Sequence, residues 1–382
     1  MASYAAGRRR DVPLATKLLM VNWGLVFLVA LIASIGFAML YSSAGGSWSP
    51  WAGKQVIRFL AGLVVMLGVA VVEIRFWARW AYPIYGATLV ALVAVEVMGS
   101  IGMGAQRWID LGFFQLQPSE IMKLALVLAL ARYFHGISLE QVGRPLTLVA
   151  PLLLVLAPVA LVLKQPNLGT ATLLMLGAGA IFFMSGVRLW KFAIVIAGVL
   201  AALPVVWEFM HDYQKRRVLT FLDPENDPLG AGYNILQSMI ALGSGGITGK
   251  GYLQGSQSQL RFLPEVQTDF IFTQVGEEFG MIGGLVLLFL YVCLFAYGLA
   301  IGLGCRNQFG RLVALGITIQ FFLYVAINMS MVMGLIPVVG IPLPLVSYGG
   351  SAMMTLLLGC GLILSVSIHR EQRLPRRIDR PD

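Results

Sequence analysis

Leu263-Pro264-Glu265-Val266-Gln267-Thr268-Asp269-Phe270-Ile271-Phe272 carries the chain from its longest polar stretch directly into an apolar run over 270–301. A run of that length is more than enough to cross a hydrocarbon core of about 30 Å. Working outward, apolar stretches of similar kind recur near 18–42, 55–73, 77–99, 118–134, 145–163, 168–186, 189–207, 310–335 and 345–368. They predict an all-α polytopic membrane protein of about ten transmembrane helices. A long extracytoplasmic loop, 208–269, separates helices 7 and 8. With 58% hydrophobic and 12% charged residues among 382, the composition excludes a water-soluble domain.

An even number of spans puts both ends of the chain on one side. Arg8, Arg9, Arg10 and Lys17 precede the first span, and Arg370, Arg373, Arg376, Arg377 and Arg380 follow the last. Arg75, Arg79, Arg132, Arg144, Arg188, Lys191, Arg306 and Arg311 fall at the loops that alternate onto that side. The positive-inside rule makes it cytoplasmic. The expected layout is one membrane domain over 1–382, with cytoplasmic tails at 1–17 and 369–382. The net charge of +9 follows from contact with lipid headgroups and requires no nucleic acid. The first apolar run is too long for a cleaved leader. Cys293, Cys305 and Cys360 predict neither a disulfide nor a metal site, and His135, His211 and His369 form no ligand cluster.

The polar residues with chemical potential gather at the outer ends of the spans. Asp269 stands where partial desolvation disfavours its charge. Glu120 and Lys123 are three apart on one helix face within a span, behind a candidate N-cap at Ser119. Ionisable groups there are expensive and usually functional, although a purely structural ion pair fits the same spacing. Arg107, beside Trp108, reads either as a ligand cation or as an interfacial anchor. Lys164 lies in the outward turn Lys164-Gln165-Pro166-Asn167, and Asn234, Gln237 and Ser238 add neutral donors from a predicted interfacial helix over 233–242. Glu277 and Glu278 follow Asp269 by two turns. They line the same cavity, or Glu278 pairs with a base elsewhere. Arg58 and Glu96 read as structural charges. The run Gly243-Ser244-Gly245-Gly246-Ile247-Thr248-Gly249-Lys250-Gly251 lacks the spacing of a nucleotide phosphate loop. It reads as a loop whose amides approach an anion, or as plain turns. The segment from Gly334 to Ser351, with Pro337, Pro342 and Pro344, reads as a broken segment lining a cavity or as a rigid turn.

Together these motifs resemble the SEDS family (shape, elongation, division and sporulation) of bacterial cell-wall polymerases, over nearly the whole chain. The resemblance rests on Gln106-Arg107-Trp108, Gln117-Pro118-Ser119-Glu120 with Lys123, Gly243-Ser244-Gly245-Gly246, Pro264-Glu265 with Thr268-Asp269-Phe270-Ile271-Phe272, Glu277-Glu278, and Pro342-Leu343-Pro344 with Ser347-Tyr348-Gly349-Gly350-Ser351. Gly232-Tyr233-Asn234 and Gln257-Ser258-Gln259-Leu260 are closer to the elongation members than to the division members. Gln267 stands where the family usually has His, and Asn167 where it commonly has Asp.

The resemblance implies glycosyl transfer from lipid II, a disaccharide-pentapeptide on undecaprenyl diphosphate, during elongation of a rod-shaped cell. An α-linked diphosphate donor and a β-1,4 product need one inverting displacement. Diphosphate is a good leaving group, so cations serve it better than an acid does. Asp269 is then the expected catalytic base. Arg107 and Lys123 are the expected cations, Glu120 orients Lys123 or helps hold an ion, and Lys164, Gln237 and Ser238 are further binding residues. The resemblance also implies a divalent cation such as Mg²⁺ with no ligand set named, a class B penicillin-binding protein as partner, and elongation scaffold proteins as neighbours. The rival expectations are a transporter that flips lipid II and a non-catalytic scaffold for the transpeptidase.

Overall fold

The computed structural model describes residues 13–376 apart from 99, 103–104, 111, 113–114, 210–214, 216–218, 222, 224–230 and 257–265. The motif pieces Gln257–Leu260 and Pro264-Glu265, and the basic residues Arg8–Arg10, Arg377 and Arg380, lie outside the described residues. The fold is mostly helical: α1 (Leu14–Leu19), α2 (Trp23–Ser43), α3 (Ala52–Val71), α4 (Ile74–Met98), α5 (Pro118–His135), α6 (Leu139–Val142), α7 (Pro145–Lys164), α8 (Leu168–Met184), α9 (Leu189–Phe209), α10 (Ala231–Ser244), α11 (Ile271–Gly304), α12 (Gln308–Val332) and α13 (Gly350–Ile368). Among the described residues, seven helices are long and apolar enough to cross a membrane: α2, α3, α4, α7, α11, α12 and α13. α8 is apolar but shorter, as is α9 over Leu189–Ala202. α5 carries Glu120, Lys123 and Arg132 along its length.

Local chemistry explains the boundaries. Asn22, Asn167 and Asn307 cap α2, α8 and α12, their side chains accepting from Leu25, Thr170 and Gly310 N–H groups. Asn167 therefore has a capping role that needs only a short oxygen acceptor. Proline opens α5 and α7, where its missing N–H costs nothing. The cap before α5 is Gln117, so Ser119 falls inside the first turn instead of ahead of it.

α5, α12 and α13 form the interior. The apolar windows of α12 and α13 are 72% and 78% buried, against 22% for that of α11, which is mostly exposed. α5 is buried almost all round and packs against α4, α7, α8 and α12. One feature departs from an all-α fold. Between α4 and α5 lies a small antiparallel sheet, β1 (Ser100–Gly102), β2 (Ala105–Asp110) and β3 (Gln115–Leu116), in that order. These segments are too short and too glycine-interrupted to carry a clear period-2 signal. The sheet is fastened to α13 through Ser351, whose hydroxyl donates to Gln115 O at 2.6 Å and accepts from Gln117 N at 3.3 Å.

The glycine run has a backbone purpose. α11 is broken at Gly280, with φ 63° and ψ −159°. Around this break, Lys250 N and Gly251 N donate to Glu277 O and Glu278 O, each at 3.0 Å, while Met281 N and Ile282 N donate to Gly246 O and Ile247 O at 2.9 and 3.2 Å. Loop bonds thus serve the backbone groups that a continuous helix would pair among themselves. The approach requires glycine: a Cβ on Gly249 (φ +82°) would sit 2.1 Å from Glu278 O, and one on Gly245 would sit 2.0 Å from Gly276 O. The amides of Lys250 and Gly251 are used inside the protein, which favours the turn reading over an anion loop.

Candidate active site

Asp269 lies at the foot of α11, and the backbone around it is held at three successive carbonyls. Tyr348 N donates to Gln267 O at 2.8 Å, Ser347 Oγ to Thr268 O at 2.5 Å, and Asn328 Nδ2 to Asp269 O at 2.8 Å. Ser347 Oγ also accepts from Leu343 N at 2.7 Å, and Asn328 Nδ2 donates a second bond to Ile341 O at 2.7 Å. The proline-rich segment after α12 is therefore a rigid bracket around the acid. The Asp269 carboxylate faces its tip: a Cβ on Gly340 would lie 3.4 Å from Oδ2, and Gly340 has φ +67°. Asp269 remains partly exposed. A fixed backbone under a partly exposed acid is the arrangement a positioned base requires.

Glu120 and Lys123 form an ion pair, Nζ to Oε1 at 2.5 Å, with residue exposures of 5% and 3%. Tyr324 completes it: its hydroxyl donates to Glu120 Oε2 at 2.8 Å, and its ring centroid lies 4.4 Å from Lys123 Nζ. Tyr324 and Asn328 are four apart on α12, so one helical turn separates the group that holds Glu120 from the group that holds Asp269. The two polar centres share one wall. Lys123, however, is neutralised by Glu120 and closed from solvent.

The other cations reach the same wall through α8. Arg107, on β2, donates Nε to Gln165 O at 3.1 Å and Nη2 to Pro166 O at 2.7 Å, bracing the turn between α7 and α8. Lys164, the last residue of α7, is 74% exposed along its side chain and pairs with Glu96 Oε2 at 3.2 Å. Gly169 at the start of α8 abuts the 339–341 tip, where a Cβ would meet Val339 O at 2.6 Å. The sheet, the α7–α8 turn and the bracket around Asp269 are thus contiguous. Gln237 is partly exposed on α10. Ser238 is fully buried: its hydroxyl bonds Thr273 Oγ1 at 2.8 Å and Val332 O at 2.9 Å, joining α10 to α11 and α12. That environment makes Ser238 a structural joint.

The glutamate pair divides otherwise than the spacing suggested. Glu277, not Glu278, takes a base: its Oε1 accepts from Lys250 Nζ at 2.8 Å and from Ser256 Oγ at 3.2 Å. Glu278 accepts from Ser42 Oγ, from Gln274 Nε2 at 2.9 Å and from Leu253 N at 3.3 Å. Both are 1% exposed and tie α11 to the glycine loop and α2. Arg58 stacks over Tyr348 at 4.9 Å from the ring centroid, beside the bracket. Sequence reading missed Asn328 and Tyr324. A buried amide inside a long apolar helix was the available signal, one that Gln320 shares.

Among the described residues no three His, Cys, Asp or Glu side chains converge on a point. A Mg²⁺ ion shared between one carboxylate and substrate phosphates needs no such cluster, and no residue is assigned to the cation implied by the resemblance.

The arrangement is that of an integral membrane protein with an acid fixed beside a helix end and basic groups on the same wall. The chain belongs to the FtsW/RodA/SpoVE family of cell cycle proteins, whose pattern matches residues 16–372. It is 44% identical to the peptidoglycan glycosyltransferase MrdB of Escherichia coli K12 over 351 residues, 91% of this chain and 93% of MrdB. Two solved structures share the fold. One, of a peptidoglycan synthase complex described as coordinating polymerization and crosslinking, gives a TM-score of 0.80 at 36% identity, covering 92% of this chain and 99% of the matched one. The other, the rod shape determining protein RodA of Thermus thermophilus, gives 0.70 at 32%, covering 92% and 98%.

Proposed function

We propose that this protein is a peptidoglycan glycosyltransferase that polymerises lipid II into glycan strands during cell elongation. In this reading ten helices span the inner membrane (α2–α5, α7–α9 and α11–α13), both termini are cytoplasmic, and the Asp269 pocket faces the periplasm. The observation that carries it is the fixation of the Gln267, Thr268 and Asp269 carbonyls in a residue, Asp269, that is itself only partly buried. The 44% identity to a peptidoglycan glycosyltransferase supports it.

Asp269 takes the proton of the acceptor sugar 4-hydroxyl as that oxygen attacks C1 of the donor sugar. The bond from C1 to the diphosphate breaks with inversion, and undecaprenyl diphosphate leaves carrying the electron pair. An inverting hydrolase needs a second carboxyl group for its leaving alkoxide, whereas diphosphate needs only cations. Arg107 and the exposed Lys164 are assigned to it. Lys123, closed off and neutralised by Glu120, moves from the diphosphate to a positioning role. A class B penicillin-binding protein is the proposed partner, supported by the fold shared with a synthase complex that polymerises and crosslinks.

The test reconstitutes the purified protein in liposomes containing labelled lipid II. The reading expects β-1,4-linked glycan, with synthesis lost in Asp269→Ala. Movement of lipid II between leaflets with no polymer in any condition supports the transporter instead. Polymer formed only by an added partner polymerase supports the scaffold.

A further inference from the structure

We propose that Asn328 is the positioning residue for Asp269, an inference that rests on Asp269 acting as the base. Asn328 is fully buried in α12, and both hydrogens of its amide are used. One goes to Asp269 O at 2.8 Å and the other to Ile341 O at 2.7 Å. Those carbonyls belong to different segments, one at the foot of α11 and one on the proline-rich bracket. Next to Ile341 is Gly340, whose missing Cβ leaves the space that Asp269 Oδ2 faces. A single side chain therefore sets both the acid's backbone and the surface against which its carboxylate rests.

The orientation of the amide is forced. Two carbonyl oxygens can only accept, so the nitrogen must face them. Oδ1 is left buried with no partner among the described residues. A buried acceptor without a donor is unfavourable, and native folds retain few of them. Here the residue is used purely as a double donor. Aspartate has the same shape and offers no donor at neutral pH. Leucine offers none at any pH, and serine offers one.

The experiment purifies the full chain as wild type, Asn328→Asp, Asn328→Leu and Asn328→Ser, with Asp269→Asn alongside. It measures kcat and KM for lipid II polymerisation per folded molecule, from pH 5 to 8. Asn328→Asp is expected to lower kcat by about tenfold or more while KM stays within about threefold, because a misplaced base is lost from the transition state and not from substrate binding. As pH falls, the introduced carboxyl gains a proton and donates one bond, so kcat relative to wild type rises. In Asn328→Leu the loss is similar and the acid recovery is absent. If Asn328→Asp does not fold, Asn328→Ser replaces it, with a smaller kcat loss and no acid recovery. The inference is overturned if kcat per folded molecule is unchanged in the folded variants, or if KM alone rises. An inactive Asp269→Asn beside fully active Asn328 variants sinks this inference and leaves the polymerase reading standing. A fully active Asp269→Asn sinks this inference together with the base assignment it rests on.

Discussion

Lys123→Met isolates the worth of the buried pair. In the native protein Lys123 Nζ lies 2.5 Å from Glu120 Oε1, both residues are at most 5% exposed, and the ammonium also faces the Tyr324 ring. Methionine keeps the apolar stem of the side chain and deletes the ammonium with its charge. Glu120 is then a buried carboxylate whose remaining described donor is the Tyr324 hydroxyl. Breaking a buried pair from one side costs about 3–5 kcal/mol, because the surviving charge is uncompensated. Losing the cation–π contact adds about 1 kcal/mol. The double variant Glu120→Gln/Lys123→Met removes that charge, and the glutamine oxygen still accepts from Tyr324. Its loss should be at least about 2 kcal/mol smaller than the sum of the two single losses, since contacting residues are strongly non-additive. Unfolding of the purified protein in detergent, followed by tryptophan fluorescence, reads all four proteins. Lys123→Met no less stable than wild type, or single losses that simply add in the double variant, would refute the reasoning.

Three further outcomes follow from the same coordinates. Gly249→Ala forces a Cβ to within 2.1 Å of Glu278 O at positive φ and should cost about 2–4 kcal/mol by unfolding, whereas Gly243→Ala, with nothing within 4 Å, should be neutral or slightly stabilising. Lys123→Glu places two carboxylates in a nearly closed site and should yield no folded, active protein, read as extractable protein and glycan product. His369, just past the end of α13, is held below the usual histidine range chiefly by burial; its bond to Ser365 O and Glu73 oppose this, and Lys17 adds to it. Its folded pKa being the lower one, the stability it contributes is complete above about pH 6.5 and is lost as pH falls through the folded value. His369→Gln should flatten that part of the pH–stability curve; an unchanged acid slope contradicts the assignment.

The spans and the acid were legible because their signals are local. Twenty apolar residues in a row declare a membrane helix, and Asp269 against Phe270-Ile271-Phe272 declares a boundary charge. The Glu120–Lys123 pair was legible for the same reason, being three apart on one helix. What was hidden lies in backbone groups and in partners far along the chain. Asn328 meets Asp269 from 59 residues away, and Tyr324 meets Glu120 from 204. Carbonyl acceptors have no residue identity, so the three-point hold on residues 267–269 leaves no mark in composition or period. The glycine run was visible, but its purpose appears only when the break at Gly280 lies against it. Glu277 and Glu278 are adjacent letters, and only the position of Lys250 shows that the first, not the second, takes a base.

The most direct test of the central claim is the rate of glycan synthesis from labelled lipid II by Asp269→Asn, measured on folded protein beside wild type. Asparagine preserves the shape and the backbone bonds at residue 269 and removes the group that accepts the proton. The account predicts a rate lower by about 10²–10⁴-fold, the usual worth of a general base. A variant that polymerises within about threefold of wild type would mean the proton leaves by another route, and Asp269 would be no base at all.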